Sequence, residues 1–505
     1  MLGHVSLLDF LSVGREVAGH KPWPRFQLDL PGWRAFEDRL SAADWVLMAE
    51  WAEPGEIHAL FRDDENGDIA VVSHPCVNQR FVGLGKRRPG AIRMERAIHD
   101  LYGLAPQGLA DQRAWLDHGR WQVKHPLGSP RTYEDGPHRY RFREALGDGL
   151  HQIPVGPVHA GIIEPGHFRF HAQGETVVRL EERLGYVHKG VEGVVQGKSL
   201  AEAMRVVGRV SGDSTVAYAL ATAHAAEAAL DVEVPPRARY LRALMAELER
   251  IANHLGDIGA ICNDAAFVIM LSHLSVLREK VLRANATCFG HRLLMDRIVP
   301  GGVAADLEPP CRAALGKMLH EVGKDFRRAM ALYEETPSLL DRTTGTGIVT
   351  GALVHRFGAG GFVGRASSRG HDARKTPGYP PYDDLDFTIP VRAEGDVHSR
   401  VLIRAEEVRE SLRLIEQILT HMPTGAIAVE VPVGAGEGIG IVEGFRGEIV
   451  VSLKLSETGK VVRLHPHDPS WFQWPLLEAA IEGNIVADFP IINKSFNCSY
   501  SGHDL

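Results

Sequence analysis

Thiol groups are scarce in this chain. Its 505 residues include five cysteines, and no two of them form a CxxC pair. This spacing excludes a disulfide scaffold, and without a CxxCxxC run the chain offers no iron–sulfur motif of its own. We therefore expect a reduced, cytoplasmic-type protein whose thiols are Cys76, Cys262, Cys288, Cys311 and Cys498.

The chain also lacks long apolar runs and a surplus of basic charge. No run of about eighteen apolar residues occurs, so we expect no transmembrane span and a membrane role only through partners. The formal net charge of −8 argues against a general nucleic-acid-binding protein. No signal peptide is predicted, because no basic stretch precedes the first apolar residues. No GxGxxG motif joins a strand to a helix, so no dinucleotide-binding fold is predicted, and any NAD would be bound by another protein.

The length indicates more than one domain, because a single hydrophobic core rarely serves 505 residues. Residues 1–125 mix strand-like pieces with polar turns and end in a helix-like stretch at 93–104. The following stretch is rich in Pro, Gly and charge and lacks apolar periodicity. We predict a first domain at 1–125, a linker at 126–150 and a second domain at 151–505.

Helical patterns dominate the second domain. Apolar residues recur at spacings of three and four in 238–261 and 400–422, and residues 215–230 form an Ala-rich stretch almost without breakers. Between these predicted helices, residues 364–387 form a polar, Pro-rich segment that we interpret as a long loop. Loops of this length are usually functional or disordered.

Five sequence blocks in colinear order carry a family resemblance: GPVHAGIIEPGHFRF, GYVHKGVE, ELERIANHLGDIGA, GHRLLMDRIVPGG and FRGEIV. They resemble blocks of the large subunit of energy-converting, formate hydrogenlyase-type nickel–iron hydrogenases, and of the D subunit of NADH–quinone oxidoreductase. Upstream, ERAIHDLYGL resembles the signature of the C subunit of that oxidoreductase. The resemblance implies an α+β fold, with a small α/β C-subunit-like domain before a large, mainly helical D-subunit-like domain with short strands.

The resemblance also implies a role in an assembly. We expect a peripheral subunit of a complex I-like oxidoreductase on the cytoplasmic face of the inner membrane. Its partners would be a small, B-subunit-like iron–sulfur subunit, which carries the cluster, and antiporter-like membrane subunits. This chain would shape a quinone-binding or proton-coupling cavity. Two alternatives remain open: an active nickel–iron hydrogenase with atypical ligands, and a non-enzymatic scaffold for an ion-translocating membrane module.

The first metal-binding block of the hydrogenase family reads R-x-C-G-x-C, and here its cysteines are replaced by Ser211 and Ser214. Tyr218 stands where related hydrogenases carry a histidine. A serine oxygen is a hard ligand that stays protonated near neutral pH, so it cannot replace a thiolate that bridges nickel and iron. The first block therefore argues against a nickel–iron centre.

The C-terminal block allows two registers. The preferred one places Ser499 and Gly502 at the cysteine positions, because the surrounding residues then match the family. A shift by one residue places Cys498 and Ser501 there and retains a single thiol. Neither register gives four thiolates, so no metal is expected; if one binds, the resemblance points to Cys498 and Glu192.

Glu164, flanked by His159 and His167, is the candidate proton-transfer group in the first block. The resemblance places this turn beside the metal or quinone cavity, where a carboxylate and near-neutral imidazoles suit proton transfer. The competing interpretation is a turn braced by hydrogen-bonded polar side chains. Glu192 lies four residues after His188 and corresponds to a metal-associated glutamate in related hydrogenases, although a structural salt bridge is an equal alternative.

Arg374 is the candidate cavity residue of the long loop, together with His371 and Asp372. The D subunit carries a comparable arginine-containing loop, and the competing interpretation is a solvated loop. His465 and His467 have ligand-like spacing, but two histidines without a third ligand more often mark a surface turn.

Overall fold

The computed structural model describes residues 5–132 and 136–505. Residues 1–4 of the predicted first domain and 133–135 of the predicted linker lie outside the described residues. The N-terminal part contains α1 (Leu7–Leu11), β1 (Arg15–Glu16), β2 (His20–Lys21), β3 (Arg25–Gln27), α2 (Leu30–Arg39), β4 (Trp45–Glu53), β5 (Glu56–Asp63), β6 (Ile69–Pro75), β7 (Arg80–Val82), α3 (Ala91–Tyr102), β8 (Ala105–Gln107), β9 (Val123–Lys124) and β10 (Arg131–Thr132).

The remainder, which we call the body, begins at residue 150. It contains β11 (Leu150–Val155), β12 (His167–Gln173), β13 (Thr176–Arg183), α4 (Val191–Val195), α5 (Leu200–Val207), α6 (Thr215–Ala229), α7 (Pro236–Asp264), α8 (Val268–Phe289), β14 (Ile298–Val299), β15 (Gly302–Val303), α9 (Pro309–Glu334), α10 (Pro337–Thr343), α11 (Gly351–Phe357), α12 (Gly361–Arg365), α13 (Val397–His421), β16 (Gly436–Gly444), β17 (Gly447–Leu455), β18 (Val461–His467), α14 (Ser470–Ala480), α15 (Phe489–Phe496) and α16 (Tyr500–Asp504). This mixture of helices and strands confirms the predicted α+β class.

The N-terminal part is built on a five-stranded sheet in the order β1–β3–β6–β5–β4. Nearly every side chain of β4, β5 and β6 is buried, so both faces of this sheet are covered. One face packs on the body, where Met48, Leu60 and Val71 contact Ile439 and Val450. β2 also pairs with β16 of the body. The two parts of the chain therefore share an apolar junction, while the boundaries at 125 and 150 remain a prediction.

The body combines long helices with a sheet in the order β18–β17–β16–β2. The predicted helices at 215–230, 238–261 and 400–422 are confirmed as α6, α7 and α13. Helix α6 lies so close to β16 that a Cβ added at Gly440 would be 1.9 Å from the carbonyl oxygen of Ala221. Glycine on the strand and alanine on the helix therefore permit backbone contact, which places α6 directly along β16.

The long segment at 364–387 is packed into the body. Arg365, Asp372, Arg374 and Tyr382 are buried in it, so the solvated-loop interpretation is wrong. Ion pairs with residues of α7, α13 and β16 compensate the charges and make burial of this polar segment possible. Among the described residues, no helix is long and apolar enough to cross a membrane.

Candidate active site

Three serines from distant parts of the chain meet in the interior of the body. Ser211 and Ser214 lie on the turn before α6, and Ser499 caps the N-terminus of α16. The hydroxyl oxygens of Ser211 and Ser499 are 3.0 Å apart, and all three side chains are at most 4% exposed. The structure thus brings the first block together with the C-terminal block.

Gly502 lies beside the same group. Its amide donates a hydrogen bond to the Ser499 hydroxyl at 2.9 Å. A Cβ added to it would lie 2.5 Å from Oδ2 of Asp468, so the carboxylate occupies the direction in which a side chain would project. The same Oδ2 accepts a hydrogen bond from the hydroxyl of Tyr218 at 2.7 Å. We call Ser211, Ser214, Tyr218, Asp468, Ser499 and Gly502 the serine cluster.

An ion pair borders the serine cluster. The guanidinium of Arg446 donates to both carboxylate oxygens of Asp213, at 2.9 and 2.5 Å, and to the hydroxyl of Ser214 at 3.3 Å. Asp213 also accepts a hydrogen bond from Ser211 at 2.7 Å. Burial acts to raise the pKa of Asp213, but the adjacent Arg446 outweighs it and lowers the pKa. The side chain of Asp213 is 34% exposed and marks where the cluster meets the surface.

The donor atoms of the cluster do not fit a nickel–iron centre. Such a centre needs soft thiolates, whereas Ser211, Ser214 and Ser499 offer hydroxyl oxygens that are already hydrogen-bonded within the protein. Burial raises the pKa of the neighbouring Cys498 well above its usual range, so this thiol stays protonated. Among residues 5–132 and 136–505, no three or more His, Cys, Asp or Glu side chains are arranged to hold a metal ion.

The turn between β11 and β12 contacts the tail that carries Ser499. The carboxylate of Glu164 accepts a hydrogen bond from the amide of Ser501 at 3.2 Å. His159 lies 2.7 Å from the carbonyl oxygen of Gly166, and His167 lies 3.2 Å from that of Gly156. The two imidazoles therefore brace the turn, as the competing interpretation proposed. Burial lowers the pKa of His167, and the proton-transfer role of all three residues stays a prediction.

Glu192 lies at the junction with the N-terminal part, apart from Cys498. It accepts a hydrogen bond from the hydroxyl of Tyr102 and lies 2.8 Å from Nδ1 of His465. Burial acts to raise the pKa of Glu192, but His465, the hydrogen bond from Tyr102 and the charge of Arg463 together lower the pKa. The surface-turn interpretation of His465 and His467 is wrong, because both belong to β18, and burial lowers the pKa of His467 to about 3.

Arg374 belongs to a second charged cluster. Its guanidinium donates to Asp372 at 3.0 and 2.7 Å and to Glu247 at 2.9 Å. The nearby carboxylate of Glu407 forms ion pairs with Arg365 and, at 3.0 Å, with Arg250. Arg374 makes no contact with the serine cluster, because its donors face these carboxylates of the interior.

His371 connects the segment at 364–387 to the N-terminal sheet. It lies 2.9 Å from the carboxylate of Glu448 on β17 and 2.7 Å from the guanidinium of Arg62 on β5. The predicted loop residues thus brace the interior and the junction between the two parts.

Sequence reasoning missed Asp213, Arg446 and Asp468 as members of the site. Asp213 lies between the two serines of the first block, which was a usable signal. Arg446 and Asp468 are more than 230 residues away in sequence from their partners Asp213 and Tyr218, and no local pattern joins them. Arg209 of the same block points elsewhere and pairs with Asp296 near the surface.

Comparison with known proteins shows which family this chain resembles. Residues 264–433 and 428–504 match the model of the 49 kDa subunit of respiratory-chain NADH dehydrogenase, and residues 189–256 match that of nickel-dependent hydrogenase. The carbon monoxide-induced hydrogenase of Rhodospirillum rubrum is 32% identical over 68% of this chain and 96% of its own length. Hydrogenase-4 component G of Escherichia coli is 30% identical over 85% of this chain and 76% of its own length.

Similarity extends into the N-terminal part and to a solved structure. Formate hydrogenlyase subunit 5 of Escherichia coli is 28% identical over 91% of this chain and 86% of its own length. A chain of the membrane-bound sulfane sulfur reductase, an archaeal respiratory membrane complex, shares the fold with a TM-score of 0.68. It is 24% identical, and the alignment covers 72% of this chain and 100% of that chain. The predicted resemblance is confirmed: the chain belongs to the family of the NADH dehydrogenase 49 kDa subunit and the large subunits of nickel-dependent hydrogenases.

Proposed function

We propose that this chain is the peripheral large subunit of a membrane-associated, complex I-like oxidoreductase that works without a nickel–iron centre. One observation carries the proposal: Ser211, Ser214, Ser499 and Gly502, which stand at the family's thiolate positions, converge on one buried hydroxyl cluster. The names of the relatives, which include hydrogenases and NADH–quinone oxidoreductases, support a place in a redox assembly.

The tip of the turn between β11 and β12 supports an iron–sulfur partner on this side. Val158 and Ile162 are 87% and 99% exposed there, and the same turn holds Glu164 against the tail. Exposed apolar side chains at a tip are typical of an interaction site. We place the small iron–sulfur subunit on this tip and on Asp213, with antiporter-like subunits anchoring the assembly. The five free cysteines favour the cytoplasmic face of the membrane.

The chemistry that the cluster supports is proton delivery to a quinone-like acceptor held between the turn and Ser211. Two electrons from the partner's cluster and two protons would convert the quinone to the quinol. Burial, then the adjacent Asp468, raises the pKa of Tyr218 well above its usual range, so the phenol keeps its proton until the acceptor takes it. Asp468, whose carboxylate accepts the Tyr218 hydrogen bond at 2.7 Å, would take up a proton from solvent and pass it to the phenolate, and Tyr218 would deliver the second proton after this step.

The test is turnover by the purified native complex with an artificial low-potential electron donor. We expect reduction of a short-chain quinone, no hydrogen production, and a rate at least about ten-fold lower in Asp468→Asn, because positioned acid–base groups contribute roughly 10²–10⁴-fold. Asp296→Asn, which removes an exposed carboxylate paired with Arg209, is the matched control and should retain the rate.

Other outcomes would overturn the proposal. Hydrogen production from protons would favour an active hydrogenase with atypical ligands. Failure of the intact complex to reduce quinone, with equal results for wild type and Asp468→Asn, would favour a non-enzymatic coupling scaffold.

A further inference from the structure

A cavity lies away from the serine cluster, where the N-terminal part packs on the body. This junction cavity measures about 130 Å³ and is bounded by α3, β4, β18 and the start of α4. Pro126 and Gly193 are exposed and mark its mouth. Most of its wall is apolar and includes the side chains of Met94, Ile98, Leu101, Leu116, Leu127 and Val191.

Polar groups without partners line the junction cavity. Glu50 is 1% exposed, and neither of its carboxyl oxygens has a hydrogen-bond partner among the described residues. The indole N–H of Trp471 and Nε2 of His465 also lack partners there. A buried polar group left unpaired costs about 1–3 kcal/mol. Three such groups on one small cavity indicate that a bound molecule satisfies them.

An uncharged molecule that both donates and accepts hydrogen bonds would satisfy these three groups. Burial, then the nearby Glu95, raises the pKa of Glu50 well above its usual range, so its carboxyl is neutral and offers an O–H and a C=O. Nδ1 of His465 lies 2.8 Å from the Glu192 carboxylate, so Nε2 is the ring nitrogen that remains without a partner at the cavity. Trp471 contributes a donor only.

The aromatic rings argue against a cationic ligand. Ammonium groups bind over open aromatic faces. Trp51 stacks on His58 at 5.5 Å and on His465 at 6.1 Å between ring centroids, and Trp471 stacks on His503 at 4.1 Å. Imidazole rings therefore occupy part of the aromatic surface that a cation would need.

We propose that the junction cavity binds a small uncharged alcohol of the phenol class. The size supports a single ring, because a cavity of roughly 150 Å³ is known to admit benzene. The ring would lie against the aliphatic wall. Its hydroxyl would accept a hydrogen bond from Trp471 and donate one to Glu50.

Calorimetric titration of the full-length chain in its assembly tests the proposal, with phenol and with anisole, its methyl ether. We expect phenol to bind at least about ten-fold more tightly than anisole, because the ether leaves an acceptor unpaired. Glu50→Leu should weaken phenol binding and leave anisole binding unchanged. Glu53→Leu, on the same strand but outside the cavity, is the control and should change neither. Ala97→Leu, which fills the cavity, should abolish binding of both.

Three results would overturn the proposal. Equal affinity for phenol and anisole would show that the polar groups do not recognise the hydroxyl. Tighter binding of benzylammonium than of phenol would assign the cavity to cations. Absence of phenol binding in a wild-type chain whose thermal unfolding is intact would show that water alone satisfies Glu50. Removal of an unpaired carboxyl should not destabilise the fold, so Glu50→Leu remains informative.

Discussion

Replacement of Arg446 by methionine would remove the cation that borders the serine cluster. The variant leaves the carboxylate of Asp213 without its two charge-assisted hydrogen bonds, and Ser214 without a donor. Breaking a fully buried ion pair costs about 3–5 kcal/mol. Because the Asp213 side chain is 34% exposed and can regain water, we expect about 2–3 kcal/mol.

Hydrogen exchange of the amides of residues 211–218 measures this cost locally. A loss of about 2–3 kcal/mol should speed their exchange roughly 30- to 140-fold, since each 1.4 kcal/mol is about a factor of ten. Arg209→Met is the matched control, because its partner Asp296 makes a similar pair whose side chains are 46% and 42% exposed. That pair should contribute only about 0–1 kcal/mol.

Equal acceleration in Arg446→Met and Arg209→Met would show that burial does not decide the strength of the ion pair. A pH series adds a second check. The pKa of Asp213 is lower in the folded chain than its ordinary value near 4, so this carboxylate stabilises the fold at pH values above about 4. The contribution is lost as the pH falls through the lowered pKa. Arg446→Met should reduce that acid sensitivity.

Three further predictions concern packing and charge. Gly440→Ala should abolish soluble expression, because its Cβ would lie 1.9 Å from the Ala221 carbonyl oxygen, whereas Gly316→Ala, in open space on α9, should express normally. Glu407→Gln should lower the free energy of unfolding by about 3–5 kcal/mol in urea titrations, because one buried negative charge shared by the guanidinium groups of Arg250 and Arg365 is lost. Burial raises the pKa of Glu249 to about 8, so stability should fall as the pH rises from about 4.5 to 8, and Glu249→Gln should flatten that slope.

Each of these three predictions has a result that would contradict it. Soluble, native-like Gly440→Ala protein would contradict the backbone contact between β16 and α6. A cost below about 1 kcal/mol for Glu407→Gln would mean that its charge is solvated. For Glu249, the sign follows from proton binding: the folded state holds a proton between about 4.5 and 8 that the unfolded state has released. Stability that rises over this range would contradict the raised pKa.

Local pattern was enough to predict the main helices. In α7, Leu241, Leu244, Leu248 and Ile251 recur at helical spacing and are all buried. Colinear blocks were enough to predict the family. The preferred C-terminal register stays a prediction, and in the structure Ser499 bonds to Ser211.

Contacts between distant parts of the chain could not be predicted. The strand character of His465 and His467 depends on pairing with β17, and the spacing of two histidines carries no information about that pairing. The polar segment that holds Asp372 and Arg374 looked solvated because its counter-ions, such as Glu247, lie more than 120 residues away in sequence. Charge compensation over such separations becomes visible only in the folded chain.

The metal content of the purified native complex shows whether the serine cluster replaces a nickel–iron centre. Elemental analysis normalised to this chain should give nickel below about 0.1 atom per chain, because hydroxyls and a protonated thiol are poor ligands for nickel. The partner's cluster should still give iron. Nickel near one atom per chain, retained after treatment with a chelator, would contradict the account and restore the hydrogenase alternative.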